Sequence, residues 1–461
     1  MKAEEMRAGY AGMTQLENGA AVPFDKVTEP KVDQGGPLAA GEFTYVDISS
    51  VDNKLKRITE YKTLAVETAP SRAKQRLKSG DVLVSMTRPN LNAVAIVPPE
   101  LDGAVGSTGF HVLRATEGTE PRWLYYAVQT KNFISSMSEH VQGALYPAVR
   151  PKDIRAYEIM HPPLDQQKRI VAEIEKQFSR LDEAVADLKR VKANLKRYKA
   201  AVLKAAVEGR LVETEAELAR REGRSYETGA QLLQRILETR RSQWQGKGKY
   251  KEPAVPDTAE LPELPEGWVW STMPQLGELN RGKSKHRPRD DERLYGGPYP
   301  FIQTGDVRKS GGSIKTHSQT YSEFGLQQSR LWPAGTLCIT IAANIAETGV
   351  LKFAACFPDS VVGFLMEANE ITTRYVEYFI RTAREKLERF APATAQKNIN
   401  LEVLETVCVP LPPMPEQHRI VAEVDRCLSV LRETEAQVDA NLQRAERMRQ
   451  SLLANVFSGR M

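Results

Sequence analysis

The chain has 461 residues, of which 41% are hydrophobic and 27% charged, and 64 Lys+Arg against 59 Asp+Glu give a formal net charge of +5. That apolar share is enough for packed cores and excludes a wholly disordered chain. No run approaches the ~18 consecutive apolar residues of a membrane span, and the opening MKAEEMRAGY has no apolar signal core, so a cytoplasmic protein with no membrane partner is expected.

In chain order, residues 1–27 read as an N-terminal extension without a later counterpart. A first globule follows over 28–161, with strands expected at 43–48, 82–86 and 93–97 and a short helix at 123–130. Residues 162–211 read as one long helix whose apolar positions Ile170, Val171, Ile174, Phe178, Leu181, Val185, Leu188, Leu195, Tyr198 and Val202 fall on one stripe, as in a coiled-coil seam. A charged insert (212–263) is expected to hold one helix at 231–244 and a Pro-punctuated linker. The second globule, 264–411, has strand patterns at 337–342 and 361–366 and a helix pattern at 375–386. A second long helix closes the chain at 412–461, with Ile420, Val421, Val424, Leu428, Leu431 and Val438 on its stripe.

Both long helices are copies of one segment. Residues 162–211 align with 412–461 at a constant offset of 250, without a gap, and sixteen positions are identical, including Gln167/Gln417 and Arg-Ile-Val-Ala-Glu at 169–173/419–423. One inserted residue would turn the rest of the stripe by about 100°, so two ungapped copies imply two helices with the same geometric task. The likeness runs backwards more loosely through 77–86/332–341, 123–130/375–382 and 143–151/393–401. The fold class is therefore α+β, with a mixed α/β globule and a long helix used twice. The two helices are expected to pair antiparallel about a pseudo-two-fold axis.

Enzyme signatures are few. Gly277–Ser284 matches the phosphate-loop pattern G-x-x-x-x-G-K-[ST], but the next residues, KHRPRDDERLYGGP, carry no apolar helical stripe. A coincidental loop is the preferred reading, and a nucleotide hydrolase using Lys283 is the alternative. A coiled-coil protein scaffold without DNA readout is a second alternative. Cys338, Cys356, Cys408 and Cys427 have no metal-ligand spacing and read as reduced thiols, with no metal expected.

Cations cluster in corresponding places. Arg72, Lys74, Arg76, Lys78 and Arg88 lie in the first globule; Arg281, Lys283, Lys285, Arg287, Arg289 and Arg293 in the second. Such clusters fit phosphate contacts. Arg88, Asn90, Asn92, Gln303, Gln396 and Asn398 carry the paired donors and acceptors that read base edges. Tyr146, Arg150, Arg308 and Lys397 complete the DNA-contact candidates.

The twin PP-x-x-x-Q-x-x-I-V helix starts (162–171, 412–421), LPEGW (264–268), Thr394–Ile399, FTYVDISSVDN (43–53) and RPNLNAVAIVPPELDG (88–103) resemble the specificity subunit of a type I restriction-modification enzyme. The resemblance covers nearly the whole chain beyond residue 27. It implies a non-catalytic protein with two target-recognition domains, each reading half of a bipartite sequence in double-stranded DNA. It also implies docking of two methyltransferase subunits and two motor/nuclease subunits. S-adenosylmethionine, ATP and Mg are then expected on those partners, and none on this chain.

Overall fold

Two short stretches, Val82–Ser85 and Leu337–Thr340, are buried at every position. Side chains alternate along a strand, so each stretch must be covered on both faces. The computed structural model, which describes residues 19–37, 41–141, 147–246, 248–342, 345–366, 370–389 and 399–457, builds each stretch into the centre of one of two compact units.

Unit 1 takes in residues 1–190 and 438–461. Strand β1 (Ala20–Pro23) leads into the one-turn helix α1 (Phe24–Val27), then come β2 (Glu42–Val46), the hairpin β3 (Val51–Asp52) and β4 (Arg57–Ile58), β5 (Lys62–Ala65), β6 (Ala73–Arg76), β7 (Val82–Ser85), β8 (Val94–Ile96), β9 (Val105–Ser107) and β10 (Phe110–Leu113). Helices α2 (Pro121–Ala127), α3 (Lys131–Glu139) and α4 (Pro151–Arg155) and strand β11 (Glu158–His161) precede the 44-residue helix α5 (Leu164–Val207). The strands form sheets ordered β10-β7-β8 and β5-β2-β9-β6, with β1 paired to β11. Val82 and Val84 face a core shared with Ile170, Ile174 and Phe178 of α5, while Leu83 faces a second core with Val46, Leu77 and Phe110.

Unit 2 takes in residues 191–437. Its elements are α6 (Glu215–Glu222), α7 (Gly229–Ser242), β12 (Val269–Thr272), α8 (Met273–Leu276), β13 (Glu278–Arg281), β14 (Tyr295–Phe301), α9 (Thr304–Lys309), β15 (Gly312–Ile314), β16 (Gln319–Tyr321), α10 (Glu323–Gln327), β17 (Leu337–Thr340), β18 (Thr348–Leu351), β19 (Val361–Leu365), α11 (Glu370–Arg389), α12 (Leu401–Glu405), β20 (Cys408–Leu411) and α13 (Met414–Phe457). The central sheet runs β13-β19-β17-β18-β15. Leu337 and Ile339 share a core with Ile420, Val424 and Leu428 of α13, whereas Cys338 faces Trp332 and Phe357. All four cysteines are free.

The structure corrects three expectations. Residues 20–27 do have a counterpart: β1 pairs with β11 and leads into α1 as β12 pairs with β20 and leads into α8. The repeat was invisible there because AAVPFDKV and VWSTMPQL share almost no side chains. The insert holds two helices, α6 and α7. Each starts at a capping box, Thr214 with Glu217 and Thr228 with Gln231, a signature readable in sequence.

The apolar stripes, thirdly, are more than a seam. Ile170, Val171, Ile174 and Phe178 are buried against their own globule, with Phe178 edge-on to Tyr126 at 5.7 Å. Leu452, Leu453 and Val456 of α13 join that same core, and Phe457 packs on Trp123 at 4.5 Å. In unit 2, Val202, Leu203 and Ala206 of α5 join Ile420, Val421, Val424, Leu428 and Leu431. Val438 is buried, Leu181 and Leu188 are half-buried, and Tyr198 is 56% exposed.

Gln167 and Gln417 are fully buried joints. The Gln167 amide donates to the Pro162 carbonyl and its oxygen accepts from the Glu120 N–H. Gln417 donates to the Pro412 carbonyl and accepts from the Thr372 hydroxyl. Each fixes the entry of its helix to its own globule. The LPEGW motif has a similar task, since Trp268 donates its indole N–H to the buried Glu416.

Candidate nucleic-acid interface

In unit 1 the ends of several strands meet. Beyond β7, the Met86 N–H bonds to the Gly109 carbonyl, and the Thr108 N–H bonds to the carbonyl of Arg72 just before β6. The loop after β7 is stitched to a second loop, Arg88 N–H to Pro147 carbonyl at 2.9 Å and Val149 N–H to Met86 carbonyl at 2.9 Å. Arg72, Arg88, Asn90 and the 147–150 segment are thus gathered at one edge. Lys74 lies two residues beyond Arg72, in β6, and is exposed.

The side chains at this edge differ in availability. The side chains of Arg72, Lys74, Arg88 and Asn90 are exposed and make no hydrogen bond or ion pair among the described residues. Arg150 is exposed but holds Asp153 through two guanidinium hydrogen bonds, which keeps that carboxyl below the usual carboxylate range. Asn92 is withdrawn from base reading. It is buried, its amide donates to the Val128 carbonyl, and its oxygen accepts from Lys56. Tyr146 lies outside the described residues.

In unit 2, β13 delivers a basic loop to the matching edge. Arg281 pairs with Val362, Thr340 pairs with Val361, and the Gly282 N–H bonds to the Val361 carbonyl, so the end of β13, the end of β17 and the start of β19 lie together. Gly282 is required by close packing, since a Cβ there would stand 2.3 Å from the Phe357 carbonyl oxygen. What resembled a phosphate loop is therefore a strand followed by irregular chain, with no helix N-terminus to meet a phosphate. The 277–284 segment therefore lacks the phosphate-loop geometry that the nucleotide-hydrolase alternative requires.

Within this loop Arg289 pairs with Asp359, Arg293 pairs with Asp291 and lies over Phe324, and the Arg287 guanidinium donates to the Ser284 and His286 carbonyls. Those bonds fix the shape of the loop. Arg281, Lys283 and Lys285 stay exposed and unpaired among the described residues, as does Arg308 on α9. Gln303 caps α9 and donates its amide to Gln319 at 2.5 Å, forming an exposed glutamine pair. Gln396, Lys397 and Asn398 lie outside the described residues.

Sequence reasoning missed Lys56. It sits in the turn between β3 and β4, with its Nζ 2.5 Å from the Asn92 carbonyl and 2.9 Å from Asn92 Oδ1. Burial lowers its pKa to about 8, against the pull of Glu446 and Asp52. Nothing in the DNKLK turn marks one lysine as inward-facing.

Two α/β recognition units, each with an apolar-faced long helix and a cation-bearing sheet edge, define a twice-built DNA-binding class. The family model described as the type I restriction modification DNA specificity domain matches residues 30–193 and again 265–444. The chain belongs to this family, as a specificity subunit with two repeated recognition domains.

Among curated relatives, it is 23% identical over 362 residues to the type I restriction enzyme EcoDI specificity subunit of Escherichia coli, covering 76% of this chain and 74% of that one. It is 23% identical to the EcoKI specificity subunit of Escherichia coli strain K12, where 72% of this chain spans 63% of the relative. Among solved structures, one of a type I R-M system gives a TM-score of 0.73 at 24% identity, covering 96% of this chain and 98% of the other. The HsdS subunit from Thermoanaerobacter tengcongensis gives 0.59 at 24% identity, covering 96% and 97%. These likenesses show the fold. Among the described residues no helix is long and apolar enough to cross a membrane.

Proposed function

We propose that each unit reads one half of a bipartite duplex target, through the sheet edges carrying Arg72, Lys74 and Arg88 in unit 1 and Arg281, Lys283 and Lys285 in unit 2. One observation carries this reading: each unit presents cations with unpaired side chains at the edge beyond its central strand, and in unit 2 the neighbouring Arg289 and Arg293 are consumed in shaping the loop. Unpaired cations at a rigid edge release counterions when they meet phosphates. Arg88, Asn90 and the Gln303–Gln319 pair supply the donor and acceptor patterns that read base edges.

The chain itself is non-catalytic and cytoplasmic. The two long helices pair antiparallel as a spacer and seat two methyltransferase subunits, which bring S-adenosylmethionine. Two motor/nuclease subunits, which bring ATP and Mg, complete the complex. The sharing of each globule's core by both helices supports that pairing.

Titrating the chain, in complex with its methyltransferase subunits, onto genomic fragments at several salt concentrations tests the reading. Binding should weaken steeply with salt yet select one fragment class, and Lys283→Ala should reduce the salt slope by about one. Salt-insensitive or sequence-indifferent binding would refute it.

A further inference from the structure

Only four non-glycine residues among those described hold a left-handed backbone: Lys56, Arg88, Asn92 and Ala346. Three of the four belong to one junction in unit 1. Each such residue costs on the order of 1 kcal/mol and persists only where its surroundings insist on it. The turn before β4 inserts Lys56 between the carbonyl and the side-chain oxygen of Asn92. Tyr125 of α2 in turn donates its hydroxyl to the Lys56 carbonyl at 2.7 Å, and Asn92 donates to the Val128 carbonyl at the end of α2. Between the left-handed Arg88 and Asn92 runs a single 3-10 turn, Pro89–Leu91. Arg88 and Asn90 project from this turn unpaired. The turn borders an open cleft of about 360 Å³ lined by Ile48, Val51, Ser85, Leu91 and Ala93, while its Pro89 is buried and the turn packs against α3.

Resting on the DNA-reading proposal above, we propose that Lys56 is a positioning residue for base recognition in the first half-site. Its ammonium locks Asn92, and Asn92 anchors the turn that aims Arg88 and Asn90. At its ends the turn is tied by the Arg88 N–H to the Pro147 carbonyl and by Asn92, whose amide donates to the Val128 carbonyl while its backbone and side-chain oxygens both accept from Lys56. In unit 2 the described residues that flank the corresponding loop are bonded differently. There the left-handed Ala346 bonds back to the Thr340 carbonyl at 2.8 Å, and Glu347 is tied to Arg384.

Lys56→Gly and Asn92→Gly test this without imposing strain, because glycine accepts φ near 50° at no steric cost. Wild-type, both variants and Arg88→Ala are each assembled with the methyltransferase subunits. Initial methylation rates are then compared on duplexes carrying single base changes in either half of the target. Both glycine variants should lose about tenfold discrimination at the same base positions as Arg88→Ala, with the other half-site read as by wild-type. A merely structural defect would instead lower rates on every duplex alike. Wild-type discrimination by Lys56→Gly, alongside relaxed reading by Arg88→Ala, would overturn the positioning role while leaving DNA reading intact. Unaltered reading by Arg88→Ala would remove the reader, and the clamp proposal with it. A wild-type complex without base preference would refute the underlying function.

Discussion

The two recognition units share a frame and differ at the edge. Their central strands β7 and β17 are buried on both faces in the same way, β1–β11 and β12–β20 close the same ladder, and Gln167 and Gln417 fix the same joint. Their loops are held differently, by an inserted lysine in unit 1 and by Thr340 and the Glu347–Arg384 pair in unit 2. Unit 2 adds a basic loop pinned by Asp291 and Asp359, for which the described residues of unit 1 hold no equivalent. The difference teaches that burial constrains the frame while the edge, exposed to solvent, is free to change its side chains.

The largest expected effect separates the units outright. Replacing residues 269–411 with the second globule of another family member should abolish recognition of one half-site, by roughly a thousandfold or more in binding to matched duplexes, and leave the other intact. Loss of both halves would show that the frame itself reads sequence.

Removing a frame residue should act on stability and only locally. Trp123 is fully buried, packs on Phe457 and donates its indole N–H to the Met160 carbonyl at 2.9 Å. Trp123→Ala should cost about 3–5 kcal/mol, seen in thermal unfolding as a transition of unit 1 that precedes that of unit 2. A single cooperative transition shifted as a whole would merge the two units thermodynamically.

An acid-sensitive difference is next in size. His111 lies in β10 where unit 2 has Val362, and burial, reinforced by the charge of Arg155, lowers its pKa to about 4. The unfolded chain binds a proton near pH 6.5 that the folded unit refuses. Stability from this group is therefore full above about 6.5 and declines as pH falls towards 4, by about 3 kcal/mol at most. His111→Val should flatten the pH dependence of unit 1 in that window, read by denaturant titration at each pH. An unchanged slope would place the acid response elsewhere.

The joints should show the smallest differences. Gln167→Leu removes the side-chain partner of the Glu120 N–H and the Pro162 carbonyl, and Gln417→Leu removes the bonds that Gln417 makes to the Thr372 hydroxyl and the Pro412 carbonyl. Each should destabilise its own unit by about 1–3 kcal/mol, measured by chemical denaturation.

The frame was largely legible because its determinants are apolar and periodic. The gapless repeat at an offset of 250 located both long helices, and VLVS and LCIT located both central strands. The first turn of the repeat, β1 and α1, escaped because its pairing is made by backbone, which any side chain permits. At the edge, residue type indicated Arg88 and Asn90 but equally indicated Asn92, whose amide is spent internally. Lys56 was illegible because its role depends on a contact 36 residues away in sequence. Tertiary position, and not chemistry, separates a reader from its support.

Mapping methylated bases on genomic DNA exposed to the chain assembled with its methyltransferase subunits tests most directly whether there are two readers. Two readers on a fixed spacer should yield a single bipartite sequence, two specified halves separated by an unspecified gap of fixed length. A contiguous target, or one specified half followed by arbitrary sequence, would contradict them.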